Sequence, residues 1–324
     1  MIKTIVFALT AASLIAVAPV ARAADQYPTK LIRFIIDFPA GGVSDVLARV
    51  VAGHMSETLG QTLVCENKAG AGGQLAYSLV ARAPADGYTI GFISTPFVLL
   101  PNLFKSLPYD TANDFVPVGR IARYPNVVLV NADSPIKTLQ EFITYAKAKK
   151  EALNYGSYGV GSSPHLTMEL LRSQAGFTGT HIPYRGSPQG MVALMSNDID
   201  VIFGNVAGAL SQIKGGQVKP LAVSGTSRSS ILPDVPTLNE LGLRFDTVGF
   251  AGIVVPKGTP TAVVQRLNEA LGAALSDPHV AAQIRNVGAE PAEPAPSSEF
   301  AKFLRGEIDL WAPVIKQAGG PFQP

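Results

Sequence analysis

The stretch that most constrains this chain is Phe34-Ile35-Ile36-Asp37-Phe38-Pro39-Ala40-Gly41-Gly42-Val43-Ser44-Asp45. A short apolar run with β-type residues breaks at Pro39 and the Gly41-Gly42 pair. Val46, Leu47, Val50, Val51 and Met55 then follow at three- and four-residue steps. The pattern predicts a strand, a glycine turn and a helix N-terminus in direct succession. Gly41 and Gly42 permit positive φ and let a ligand approach the backbone without a Cβ in the way. Ser44 and Asp45 suit a first helical turn, because their oxygens can accept orphan N–H groups. Such a junction is either an anion site, built from the remaining N–H groups and the positive end of the helix, or an ordinary connection.

The same grammar recurs. Thr62–Cys65 reads as a second strand, and Glu66–Gly73 as a second glycine-rich loop entering a helix through Leu75, Leu79 and Val80. Asp86-Gly87 turns into a strand over Tyr88–Ser94. Alternation of strand and helix predicts an α/β fold with a parallel sheet and helices on its faces. Ligands of such sheets bind outside the carboxyl ends of the strands, where Asp37–Asp45, Glu66–Gly73 and Ser94-Thr95 would meet. Ser94 and Thr95 are either hydroxyl donors to a ligand or simple turn residues.

Residues 107–118 read as an irregular connection, and Val127–Val130 as a strand. Asn154–His165 is the counterpart of the first junction: a strand end, glycines at 156, 159 and 161, capping serines at 162 and 163, and Pro164 at a first helical position. His181–Ser187 and Asp200–Asn205 are further strand-to-loop ends. His165 is either a ligand contact or a packed structural histidine. Arg185, beside Tyr184, suits either a bidentate carboxylate pair or an interdomain salt bridge. Gly249–Val255 reads as a strand returning to the first domain, and Thr259-Pro260 opens a helix to Ser276. The last helix follows Pro296-Ser297-Ser298, uses Trp311 for packing, and should kink or end at Pro313. The spacing thus predicts one domain from 24–124 plus 249–324 and a second from 125–248.

At the start of the chain, one charge at Lys3, an apolar run from Ile5 to Val20 and Ala21-Arg22-Ala23 predict a signal peptide cleaved before Ala24. Later segments are too short in apolar residues to span a bilayer, so a soluble exported protein with no membrane insertion is expected. The sequence has 26 Lys+Arg and 24 Asp+Glu; without Lys3 and Arg22 the charges balance at 24 each. That argues against a nucleic-acid partner. The single Cys65 leaves no intrachain disulfide, and the four histidines lack metal-ligand spacing. No G-x-S-x-G, H-E-x-x-H or P-loop motif occurs. These absences lower the prior for an enzyme without excluding one, so a binding protein with no cofactor, metal or catalytic residue is expected. An exported enzyme acting on a small carboxylate, or a ligand receptor for a membrane sensor, stands as the alternative.

Several segments together carry a resemblance: Phe38-Pro39-Ala40-Gly41-Gly42-x-Ser44-Asp45-x-x-Ala48-Arg49, Glu66-Asn67-x-x-Gly70-Ala71-Gly72-Gly73, Asp86-Gly87-Tyr88-Thr89, Asn154-Tyr155-Gly156-Ser157, Pro183-Tyr184-Arg185-Gly186-Ser187 and Leu232-Pro233-Asp234-Val235-Pro236-Thr237. In this order they resemble the Bug-type solute-binding proteins, periplasmic receptors of tripartite tricarboxylate transporters. The resemblance implies a two-domain periplasmic-binding-protein (Venus flytrap) fold, each domain a mainly parallel sheet flanked by helices. It implies capture of a small organic anion, typically a carboxylate, and docking on membrane permease subunits. Carried onto this chain, it assigns ligand contacts to Phe38, Ala40, Gly41, Gly42, Ser44, Asp45, Ser94 and Thr95 in the first domain. In the second it assigns Ser157, Gly161, Ser163, His165, Tyr184, Arg185, Gly186 and Asn205. Val43, Phe97 and Tyr158 are expected to shape the pocket. Gly204 stands where the family often has Asp, which favours a plain or aromatic carboxylate over an amino acid. A monomer is expected.

Overall fold

The computed structural model describes residues 27–149, 153–159, 162–184, 187–245, 248–317 and 321. The expected signal peptide and the positions Gly161, Arg185 and Gly186 lie outside the described residues.

From β1 (Ile32–Ile36) the chain enters α1 (Val43–Leu59), β2 (Leu63–Asn67), a single 3₁₀ turn over Ala71–Gly73, α2 (Gln74–Ala81), β3 (Thr89–Ser94) and α3 (Pro96–Leu103). β4 (Phe115–Tyr124) runs through Pro125 into β5 (Asn126–Asn131). There follow α4 (Leu139–Ala148), β6 (Leu153–Ser157), α5 (Ser163–Ala175), β7 (Gly179–Pro183), α6 (Ser187–Met195), β8 (Val201–Asn205), α7 (Val206–Lys214) and β9 (Val218–Val223). The chain closes with β10 (Gly249–Pro256), α8 (Thr261–Ser276), α9 (Pro278–Asn286), the two-residue β11 (Glu290–Pro291) and α10 (Ser297–Gln317).

These strands form two sheets, in the orders β11-β4-β10-β3-β1-β2 and β7-β6-β8-β5-β9. Each sheet is mainly parallel in strand direction, with β10 and β11 reversed in the first and β5 reversed in the second. β1 pairs in parallel with β2 and β3, and β6 with β7 and β8, as strand–helix–strand connections require. β10 runs antiparallel between β3 and β4, and β5 antiparallel between β8 and β9. The antiparallel half of each sheet is therefore supplied by the strands that carry the chain between the sheets.

Helices cover both faces, which is why β3, β5 and β10 are buried along their whole length and read as apolar runs. α1, α8 and α9 pack Leu47, Val51, Met55, Leu267 and Ile284 on one face of the first sheet. α2, α3 and α10 pack Tyr77, Phe97, Leu304 and Trp311 on the other. In the second sheet, α4 and α5 enclose Phe142, Met168 and Phe203, while α6 and α7 cover Met191, Leu194 and Ile202. Leu166 of α5 joins the first lobe's core, so the lobes also touch across α5 and α10.

Two expectations need correction, and one helix was not foreseen. The segment expected to be irregular up to residue 118 contains the start of β4. Pro117 and Gly119 look like breakers, but they sit where the register with β10 shifts, and bulges tolerate such residues. A Cβ at Gly119 would stand 2.8 Å from Leu271 Cδ2, so glycine there lets α8 lie close to the strand. α9 fills the interval after Ser276. Pro313 does not end α10, which continues to Gln317; Pro313 faces solvent, where water can satisfy the carbonyl it leaves unpaired.

Candidate functional site

The carboxyl ends of β1 and β3 face those of β6 and β8 across a cleft of about 770 Å³. Helices α1, α3, α5, α6 and α7 all begin at its rim, through Val43 and Ser44, Pro96, Ser163 and Pro164, Pro188, and the α7 cap Asn205. Each helix start leaves backbone N–H groups without intrahelical partners and carries partial positive charge. Among the described residues that line the cleft, none has a charged side chain.

On the first wall, Phe38, Ala40, Gly41, Gly42, Val43 and Ser44 line the cleft, with Ser94 and Thr95 beside them. Gly41 has φ +80°, a conformation that only glycine adopts without strain. Asp45 is set back and braces this loop. Its Oδ2 accepts the Gly41 N–H (2.9 Å), and its Oδ1 accepts from Arg49 Nε (2.8 Å) and Asn67 Nδ2 (3.0 Å). Asn67 also donates to the Phe38 carbonyl (2.9 Å). Burial alone would raise the Asp45 carboxyl, but the Gly41 amide, Asn67 and Arg49 together hold it below its ordinary value. The expected ligand contact at Asp45 is thus corrected to a support.

On the second wall, Ser162 caps α5 by accepting the His165 N–H (3.4 Å), and its hydroxyl donates to the Gly159 carbonyl (2.7 Å). Ser163 Oγ accepts from Asn126 Nδ2 (2.9 Å), which leaves its own proton for the cleft. Asn205 Oδ1 accepts the Gly208 N–H (2.7 Å), so its Nδ2 remains as the donor.

Three second-wall expectations are corrected by burial or position. Ser157 is fully buried and lies 2.6 Å from His181 Nε2, where it holds the glycine turn by accepting the Gly159 N–H (3.1 Å). His165 is buried and stacks on His181 at 3.9 Å between ring centroids. Burial, with His181 alongside, pushes His165 down to about 3, so the ring is neutral. Tyr184 lines a separate apolar groove with Pro188, Gln189 and Val192. Phe97, expected to shape the pocket, is in the first lobe's core.

Sequence reading missed Tyr124 and Pro188, and it placed Asp37 at the cleft mouth without giving its carboxyl a role. Tyr124 lines the cleft at the end of β4 and donates its hydroxyl to the Phe250 carbonyl on β10, tying the two crossing strands together. Tyr158 spreads over two glycines. A Cβ at Gly204 would stand 2.6 Å from its hydroxyl oxygen, and one at Gly190 3.4 Å from its ring. The space that a side chain at position 204 would occupy is therefore filled by a phenol. Asp37, at the end of β1, has a fully enclosed carboxyl beneath Ser94. Its one readable signal was an acid closing an apolar strand.

Two α/β lobes joined by crossing strands, with helix N-termini gathered around the cleft between them, define a solute-binding protein of the two-lobed type. Residues 47–319 match the tripartite tricarboxylate transporter family receptor model, and the chain belongs to that family. It is similar to an R. palustris protein solved with adipate (32% identity, TM-score 0.78, covering 90% of this chain and 98% of that one). It is also similar to the periplasmic binding protein BugD (33%, TM-score 0.75, 90% and 99%). MatC from Rhodopseudomonas palustris, solved with bound malate, is a third neighbour (30%, TM-score 0.73, 89% and 99%). Members of the family are periplasmic solute-binding receptors, and among the described residues no helix is long and apolar enough to cross a membrane.

Proposed function

We propose that this chain is a periplasmic receptor that captures a small organic carboxylate in the cleft and presents it to the permease subunits of a tripartite tricarboxylate transporter. The observation that carries this reading is the convergence of helix starts on a cleft whose described lining has no charged side chain. An anion there gains backbone N–H donors and helix partial charges, while the apolar walls of Phe38, Pro39, Val43, Pro96 and Tyr158 accept a carbon skeleton. The adipate and malate carried by two structural neighbours fit that chemistry.

In this reading, residues 24–124 plus 249–324 form one lobe and 125–248 the other, with the hinge at Tyr124-Pro125 and Val248-Gly249. The carboxylate docks first on the amides that open α1, between Gly42 and Asp45, with the Ser44 and Thr95 hydroxyls beside it. Rotation about the crossing strands then brings Ser163, Asn205 and Tyr158 over the solute. The ligand favours the closed form only to the extent that it binds that form better. Arg185 and the glycines at 161 and 186 belong to the second lobe's contribution. The receptor acts as a monomer, is exported by cleavage before Ala24, and releases its solute unchanged.

Thermal unfolding of the mature chain against adipate, malate, tricarboxylates and aromatic acids tests the proposal. A bound acid at about 100 times its dissociation constant adds roughly 2.7 kcal/mol, a shift of several degrees. Recovery of the acid unchanged supports a receptor, whereas turnover would make the protein an enzyme. No shift with any acid, after unfolding, dialysis and refolding to remove carried-over ligand, overturns the carboxylate reading.

A further inference from the structure

Asp37 occupies a position that a carboxylate receptor would be expected to avoid. Its side chain is 1% exposed. Oδ2 accepts from Tyr77 Oη at 2.7 Å and from Ser94 Oγ at 2.6 Å, while Oδ1 is enclosed without a hydrogen-bond partner. Gly73 makes the Tyr77 contact possible: with φ +98°, a Cβ there would lie 2.8 Å from the Tyr77 hydroxyl. The groups that face Asp37 are its own backbone N–H and hydroxyls from four neighbouring elements. The hydroxyls are those of Ser44 from the start of α1, Tyr77 from α2, Ser94 from β3 and, further off, Tyr124 from β4. Among the described residues no cation pairs with it; Asp45 and Arg49 on α1 satisfy each other. Ser44, Ser94 and Tyr124 are themselves cleft-lining residues, so Asp37 stands one side chain behind the first wall.

Two consequences follow for an incoming carboxylate. An ionised Asp37 places an unpaired negative charge behind the anion's seat, where low polarisability weakens screening. It also takes the Ser94 proton, so Ser94 turns only lone pairs toward the cleft. Both effects oppose a carboxylate. One proton on Asp37 removes the charge and frees the Ser94 hydroxyl to donate to the ligand.

We propose that carboxylate capture is coupled to uptake of one proton at Asp37, so that the receptor binds its anion and a proton together. The proton comes from solvent and stays on the Asp37 carboxyl; no bond to the solute is made or broken. This rests on the carboxylate reading of the cleft. Burial raises the Asp37 carboxyl to about 6 even against the hydrogen bonds it accepts, so uptake falls where it can be measured. A neighbouring bound anion raises it further. By linkage, affinity then falls as pH rises above the free value and levels off above the bound value.

Titration calorimetry with adipate, and malate as a second probe, in paired buffers of different ionisation enthalpy reads both quantities. If the bound anion raises the carboxyl by about one to two further pH units, binding is about five- to twenty-fivefold weaker at pH 8 than at pH 6, with net proton uptake between. Asp37→Asn is expected to bind with no such slope and no uptake. Carboxyl ¹³C shifts of the unmodified protein, followed with and without saturating acid, give the Asp37 titration without any variant. A flat affinity with no uptake, a slope retained in Asp37→Asn, or an Asp37 signal that titrates identically with and without acid overturns the proposal alone. Failure of both acids, and of the wider carboxylate panel, to bind either protein at any pH overturns it together with the carboxylate reading.

Discussion

The substitution Gly204→Ala places a Cβ 2.6 Å from the Tyr158 hydroxyl oxygen, 3.4 Å from Leu129 Cδ1 and 3.7 Å from Tyr158 Cζ. Only the first contact is impossible; the others are ordinary packing. The phenol must therefore move by about 0.8 Å or more to reach normal van der Waals separation. It has little room, because its ring lies over Gly190 on α6 and its hydroxyl over β8. Forcing a side chain off its packing position costs about 1–3 kcal/mol, and the midpoint of thermal unfolding should fall by several degrees. Tyr158→Phe deletes the one offending atom. In that background the alanine should cost no more than about 0.5 kcal/mol, giving a favourable coupling of about 0.5–2.5 kcal/mol in a double-mutant cycle. Denaturant unfolding of the four proteins supplies the cycle. An alanine cost that is the same with and without Tyr158→Phe would refute the account of why glycine stands at 204. Because Tyr158 lines the cleft, Gly204→Ala should also weaken binding of whichever acid the panel identifies.

Ser162→Ala removes the α5 cap and should cost about 1 kcal/mol, read as a lower chemical-denaturation midpoint. Asp37 makes stability depend on pH in a definite direction. Burial lifts its carboxyl from the ordinary 3.8 to about 6, so the folded chain holds a proton that the unfolded chain has lost in this window. Stability falls as pH rises through the window, by about 3 kcal/mol when complete, and Asp37→Asn should abolish this component. His165 acts oppositely. Its ring is pushed from 6.5 to about 3, so its contribution is present above 6.5 and is lost as pH falls toward 3. Urea titrations of His165→Asn between about pH 4 and pH 7 should show a shallower acid loss than the unmodified chain.

What the sequence revealed and what it hid follow from physical range. The junction at 34–55 was legible because strand periodicity, a Gly-Gly break and helical periodicity lie within one window. The junction at 154–171 was legible for the same reason. The opening of β4 was obscured because Pro117 and Gly119 carry their meaning only in register with β10, more than a hundred residues later. The cleft wall was partly legible, since chain segments at strand ends must line it, but side-chain direction was not. Nothing local says that Asp45 turns back to the Gly41 amide, or that His165 stacks on His181. Asp37 was hidden most deeply, because its partners Tyr77 and Ser94 come from a different helix and a different strand.

The position of β10 between β3 and β4 has a consequence for the order in which this polypeptide becomes structured. A chain made from its N-terminus delivers β4 long before the strand that joins it to the rest of its sheet. Until Gly249–Pro256 is available, β4 has no neighbour on the β3 side, and the tyrosine hydroxyl at 124 has no carbonyl at 250 to meet. Every strand of the other sheet, by contrast, lies between Asn126 and Val223. The middle of the polypeptide can thus close its hydrogen-bond ladder while its two flanks still wait for each other. A nascent chain stalled ahead of Gly249 should yield a protease-resistant fragment from the middle and a digestible N-terminal third; resistance of the N-terminal third at that length would contradict this order.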